Sequence, residues 1–259
     1  MKVVILAGGR GTRICEESSV RPKPMIEIGE KPILWHIMKN YAHFGFNDFI
    51  ICLGYKGEFI KDYFFHYFYH HADITFDFTK GEKTEIVHSQ NVEPWRVTLV
   101  DTGIDAMTGG RLKRVQEYIG DECFLATYGD GLASVDINSL LAFHRENKKV
   151  ATVTAVRPKS RFGEISFSGN IIQEFLEKPE ENSGWVSGGF FVFEPAIFNY
   201  LKDDSTILEQ EVFEKLAEER NFCAYKHFGF WHPMDSMRDK VNLENLWKDG
   251  SGPWKMWQD

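Results

Sequence analysis

The chain lacks a basic excess: its 259 residues carry 30 Lys and Arg against 38 Asp and Glu, a formal net charge of −8. A phosphate-backbone footprint needs the opposite sign, so no nucleic-acid partner is expected. Long apolar runs are also missing. The longest, such as Phe49 to Leu53, fall far short of the roughly 18 residues a membrane helix requires, so no membrane partner is expected. Only four cysteines occur, Cys15, Cys52, Cys123 and Cys223, with no C-x-x-C pair. That spacing suggests neither a zinc site nor a disulfide framework, and reduced buried thiols are expected. His66 and His70 share an i,i+4 face, but the acidic partner of a zinc-protease helix is missing, and Tyr67, Phe68 and Tyr69 between them point to packing. Low-complexity linkers and internal repeats are absent, so one domain over 1–259, or two tightly joined lobes, is expected. The N-terminus enters a strand at Lys2 with no room for a signal peptide, which predicts a cytoplasmic protein.

What is present is enough apolar surface for a large core, 43% of residues, and a regular alternation of short apolar strands with amphipathic helices. Strands are predicted at Lys2–Leu6, Asp48–Leu53, Thr98–Asp101, Cys123–Tyr128 and Val150–Val156, and helices at Pro32–Phe44 and Gly57–Phe68. This alternation implies an α/β fold with a doubly wound, mostly parallel sheet. Ligands of such sheets bind beyond the carboxyl ends of the strands, here the glycine-rich loops after Leu6, Asp101 and Tyr128. The second half is less regular, with a hairpin predicted at Gly163–Phe167 and Ile171–Leu176, a strand at Val186–Phe193 and a helical pattern at Ile207–Arg220. The tail carries Trp247, Trp254 and Trp257, which should dock on the core or on another subunit.

The first loop reads Leu6-Ala7-Gly8-Gly9-Arg10-Gly11-Thr12-Arg13. Glycines there let backbone amides approach a phosphate. A dinucleotide fingerprint fails because Ile14 stands where its third small residue belongs, and no Gly-Lys-Ser/Thr forms a Walker loop. Arg13, and Lys23 within Arg21-Pro22-Lys23-Pro24-Met25, add positive charge where a polyphosphate would lie. Arg10 either touches such a polyphosphate or faces solvent.

These segments together resemble the sugar-phosphate nucleotidylyltransferases. The resemblance rests on Gly8 to Arg13, Lys23 to Met25, Tyr128-Gly129-Asp130-Gly131, Phe162-Gly163, Glu177-Lys178-Pro179 and Ser187-Gly188-Gly189-Phe190, in the family's order. Glu93-Pro94-Trp95, Val100 to Gly103, Met107 to Arg114 and Phe230 to Asp235 are similar to its glucose-1-phosphate cytidylyltransferase branch. The resemblance implies a Rossmann-like mixed sheet with a nucleotide-binding part over about 1–135, followed by a smaller sugar-binding and C-terminal part over about 136–259. It implies CTP and glucose 1-phosphate as substrates, Mg2+ as cofactor, and a homo-oligomer, a hexamer by analogy. Arg13 and Lys23 would then be catalytic. Leu6 to Arg13, Lys23, Asp105, Gly110 and Gly129 would bind the nucleotide, and Gly163, Glu177, Lys178, Gly188 and Gly189 the sugar phosphate. Asp130 and Asp235 would hold the metal, although locally Asp130-Gly131 also reads as a turn and Asp235 as a helix cap. A uridylyl- or thymidylyltransferase, or a non-catalytic homologue that binds sugar nucleotide, are the competing readings. The aromatic stretch Tyr63 to Trp95 is too rich for one small sheet to bury and predicts a subunit interface.

Overall fold

A computed structural model describes all residues except 80, 82, 159–163, 169, 177–183, 251 and 259, and only the backbone of 164–167 and 174–176. The first half runs β1 (Lys2–Leu6), a one-turn α1 (Cys15–Ser18), β2 (Glu27–Ile28), β3 (Lys31–Pro32), α2 (Ile33–His43), β4 (Asp48–Leu53), α3 (Gly57–His70), β5 (Ala72–Asp77), β6 (Thr84–Gln90) and β7 (Arg96–Asp101). Next come α4 (Thr108–Arg114), α5 (Gln116–Ile119), β8 (Phe124–Tyr128), β9 (Gly131–Ala133), α6 (Ile137–Asn147) and β10 (Ala151–Val156). The chain continues with β11 (Glu164–Ser168), β12 (Ile171–Leu176), β13 (Val186–Phe193), a π-helical turn (Leu208–Val212), α7 (Phe213–Glu218), β14 (Phe222–Lys226), β15 (Trp231–Pro233) and α8 (Met237–Lys248).

Seven strands form one sheet in the order β14-β10-β13-β8-β1-β4-β7. All neighbours are parallel except β13, which lies antiparallel between β10 and β8. Each apolar strand is buried on both faces, as a parallel sheet demands. Val3, Ile5, Phe49 and Ile51 face one core, while Val4, Leu6, Ile50 and Cys52 face the other. Helix α2 covers the first core because Ile33, Leu34, Ile37, Met38 and Tyr41 recur on one helical face. The tail tryptophans close that core: Trp254 is fully buried, and Trp247, Trp254 and Trp257 surround the His36 ring. Of the two docking sites open to the tail, it uses the core.

From β1 the chain winds outward through β4 to β7, then returns to β8 on the other side of β1. The crevice between the carboxyl ends of β1 and β8 is therefore the topological switch point where doubly wound sheets bind ligands. The strands that the sequence predicts lie within two residues of their expected positions, whereas β14 of the main sheet and the β5–β6 hairpin had no counterpart in it. The predicted helix at Ile207–Arg220 instead opens as the π turn before α7. Cys52 is buried, but Cys15 is exposed, against the expectation for all four thiols. His66 and His70 stack at 5.9 Å on α3 in an aromatic setting. Among the described residues no helix is long and apolar enough to cross a membrane.

Candidate active site

A cleft of about 630 Å3 opens at that switch point. Its walls include Leu6 to Gly9, Gly11 to Arg13, Lys23, Gly129, Asp130, Gly188 and Asp235, which gathers most of the sequence-predicted residues in one place. Gly11 takes a left-handed φ of +63°, which a side chain would strain. Gly8 is needed for another reason: a Cβ there would lie 2.1 Å from the Arg111 guanidinium.

Arg111 was not singled out by the sequence reading, yet it braces the floor of the cleft. It is only 5% exposed. Its Nη1 donates to Leu53 O at 3.0 Å, Thr102 Oγ1 at 2.9 Å and Gly103 O at 2.7 Å, and its Nη2 donates to Gly8 O at 3.0 Å. One guanidinium thus ties together the loops leaving β1, β4 and β7, using the fixed fork of donors that lysine lacks. Burial pulls its pKa below the ordinary arginine value.

Four charged groups meet at the cleft's centre. The Lys23 ammonium donates to Asp130 Oδ2 at 2.6 Å and to Asp235 Oδ1 at 2.7 Å, and Arg13 Nη1 donates to Asp235 Oδ2 at 2.7 Å. Lys23 is held on a 3-10 turn between Pro22 and Pro24 and is 6% exposed, whereas Arg13 reaches out into solvent. Asp130 and Asp235 are distant in sequence. They meet because β9 pairs antiparallel with β15, Gly131 opposite Pro233, and the Met234 amide donates to Asp130 O at 2.8 Å. Asp235 is not the cap of α8. Ser236 fills that position in a capping box with Asp239, and the Asp235 carboxylate stays directed at the two cations.

On the other wall Tyr128 donates to Glu209 Oε1 at 2.5 Å and Thr108 Oγ1 donates to Glu209 Oε2 at 2.6 Å. Burial and the Glu209 carboxylate raise the Tyr128 pKa, so this phenol remains a donor. Glu209 lies in the first turn of the π-helical segment and lines the cleft, and no motif in the sequence marks it. At Gly188 to Phe190 strand β13 bulges against β10, with left-handed φ at Gly189 and Phe190, and the Gly188 carbonyl accepts from Trp231 Nε1 at 2.8 Å.

Four expected residues lie away from the cleft lining. Arg10 and Asp105 pair with each other at 2.7 Å on the exposed rim, which leaves Arg10 beside solvent rather than in the cleft. Gly110 faces the Asp204 backbone, where a Cβ would come within 2.4 Å of a carbonyl oxygen, so it serves the close packing of α4. Gly189 lies behind the Tyr128 ring. Gly163, Glu177 and Lys178 fall outside the described residues.

Comparison with known proteins agrees with this geometry. A nucleotidyl transferase family profile matches residues 2–255. The chain is 52% identical over 259 residues, the whole of both chains, to a glucose-1-phosphate cytidylyltransferase of Salmonella typhi. It is 27% identical over 246 residues to a mannose-1-phosphate guanylyltransferase catalytic subunit beta of Danio rerio, covering 92% of this chain and 62% of the relative. Among solved structures, an apo UDP-glucose pyrophosphorylase superposes with a TM-score of 0.69 at 18% identity, covering 96% of this chain and 98% of the other, a likeness of fold alone.

Proposed function

Because the chain belongs to the nucleotidyl transferase family, we propose that its cleft transfers CMP from CTP to glucose 1-phosphate, releasing pyrophosphate. The observation that carries this reading is the set of Arg13 and Lys23 beside the glycine loop, at the switch point of a chain so similar to the Salmonella typhi enzyme. A phosphate oxygen of glucose 1-phosphate attacks the α-phosphorus of CTP. The new P–O bond forms as the bond to the β-phosphate oxygen breaks, and pyrophosphate leaves with that electron pair. The attacking oxygen is already ionised near neutral pH, so neither a general base nor a covalent intermediate is required. Catalysis then consists of aligning two polyanions and neutralising them. The amides of Gly8 to Gly11 receive the triphosphate, Arg13 offsets its charge, and Lys23 stabilises the charge developing around the α-phosphorus.

Asp130 and Asp235 fit a magnesium ion, since they are hard oxygen donors that already close on one cation, the Lys23 ammonium. When bound, the ion would supply further charge neutralisation to the phosphates. Asp130 and Asp235 would hold the ion, and the Lys23 ammonium between them would face the nucleotide. The exposed aromatic arm of α3 and β5–β6 supports assembly as a homo-oligomer, a hexamer on the family resemblance, and CTP and a sugar phosphate as substrates support a cytoplasmic enzyme. The deciding experiment is pyrophosphate release from purified protein with glucose 1-phosphate and Mg2+, supplying CTP, UTP, dTTP and GTP separately. CTP-selective turnover that disappears with EDTA is expected. Preference for another nucleotide overturns the base assignment, and inactivity with all four overturns the reaction.

A further inference from the structure

At the end of the sheet away from the cleft, three metal-ligating side chains converge. One donor atom each from Cys123, His144 and Glu194 lies within 4.8 Å of the other two. Cys123 immediately precedes β8, Glu194 immediately follows β13, and the pairing of Phe193 with Phe124 sets them side by side. The Glu194 amide donates to Val150 O at 2.9 Å, which anchors that position to the start of β10. His144 comes from the last turn of α6 and is 1% exposed. Its Nδ1 lies 2.8 Å from Thr152 Oγ1 and its Nε2 lies 3.2 Å from Glu194 Oε1.

Protonated at Nε2, the ring donates to Glu194 and its Nδ1 accepts from the Thr152 hydroxyl; moving that proton to Nδ1, which can donate to Thr152 instead, leaves Nε2 and the carboxylate as two acceptors beside a thiol, ready for a cation. Thr152 plays the part of an outer-shell partner that fixes ring orientation.

We propose that Cys123, His144 and Glu194 bind a borderline divalent transition-metal ion of the zinc class, at a site separate from the nucleotide cleft. A sulfur, an imidazole nitrogen and a single carboxylate are the donor set of zinc or cobalt, while magnesium takes oxygen alone. Three protein ligands leave a fourth position for water, and half-exposed Glu194 gives access from solvent. Bonds of about 2.0–2.3 Å would draw the three donor atoms, all within 4.8 Å of one another, onto a common centre. On binding, the Cys123 S–H bond breaks, the sulfur keeps the electron pair and bonds the ion, and the proton passes to solvent. The ion would tie the end of α6 to β8 and β13. Strand β8 separates it from the cleft by about 13 Å, at roughly 3.3 Å per residue.

The test titrates the full-length protein with Co2+, free of other metals. One equivalent is expected to produce a sulfur-to-cobalt charge-transfer band, which Zn2+ erases by displacement and excess Mg2+ leaves intact. Cys123→Ser should lose the band, and Cys15→Ser, which removes the exposed thiol beside Glu16, should keep it. Glu194→Gln, at a half-exposed position and so independent of any folding defect in Cys123→Ser, should bind Co2+ about tenfold or more weakly. No band in the wild type, a band that survives Cys123→Ser, or an unchanged affinity in Glu194→Gln overturns the site.

Discussion

Lys23 holds together two carboxylates that would otherwise repel, and in the proposed reaction the same charge acts at the phosphates. Lys23→Met keeps the buried methylenes and deletes the charge. Turnover should fall by about 10²–10³-fold, the usual cost of removing one preorganised charge-stabilising donor. Without the ammonium, Asp130 and Asp235 face each other unscreened, so Mg2+ should raise the melting temperature of the variant more than that of the wild type. Equal shifts in the two proteins would show that these carboxylates do not share the ion. His36 carries a second residue-scale prediction. Its Nε2 donates to Ile28 O at 2.8 Å and its Nδ1 accepts from Trp254 Nε1 at 3.3 Å, a pairing that only the neutral ring satisfies. Burial lowers its pKa to about 4. The unfolded chain, titrating near 6.5, binds the proton first, so this contribution is complete above pH 6.5 and is lost as pH falls toward 4. The loss amounts to about 3 kcal/mol. Nitrogen-15 spectra at pH 5.5 should show a neutral Nε2–H ring at His36, and a midpoint near 6.5 would refute the assignment. At this scale the sequence already marked Arg13, Lys23, Asp130 and Asp235 through motif and family resemblance. Arg111, though inside the quoted Met107 to Arg114 segment, has no role assigned by sequence and Glu209 is unmarked, because their significance lies in partners such as Gly8, Leu53 and Tyr128 that are remote in the chain.

The elements around the cleft were legible where periodicity is strong. The strands β1, β4 and β8 and the helix α2 each satisfy a simple burial pattern, and their boundaries differ from expectation by a residue or two. The π turn before α7 was not legible, since its apolar spacing is that of an ordinary helix. Helix α8 shows how an element end serves the site. The Ser236 hydroxyl accepts from the Asp239 amide, and the Asp239 carboxylate accepts from the Ser236 and Asp235 amides, fixing the backbone that carries Asp235. Ser236→Ala should cost about 1 kcal/mol in urea unfolding. Turnover should fall beyond what reduced stability explains, because the carboxylate loses its fixed entry angle. Full activity in a destabilised variant would detach the cap from the site.

For the whole molecule, several exposed aromatics cluster in one region, while Phe228 stands exposed elsewhere. Phe65 is 75% exposed and Phe78 65%, with Phe76, Ile86 and Val87 also open, all on α3 and the β5–β6 hairpin. A second copy of the chain covering this arm would explain why a stretch so rich in aromatics remains unburied. Light scattering should report an oligomer for the wild type and smaller species for Phe65→Glu with Phe78→Glu. A monomeric wild type at micromolar concentration removes the idea. The sequence by itself determined the α/β alternation, the glycine-rich loop after β1 and the types of charge set beside it, because strand and helix periods and turn residues are properties of neighbouring positions. Only the tertiary structure decided which of those charges meet. The β9–β15 register brings Asp235 to Asp130, the sheet order aims Arg111 at three loops, and the β8–β13 pairing sets Cys123 beside Glu194 with His144 above them. Such meetings depend on long-range strand pairing, which leaves no signature in local spacing.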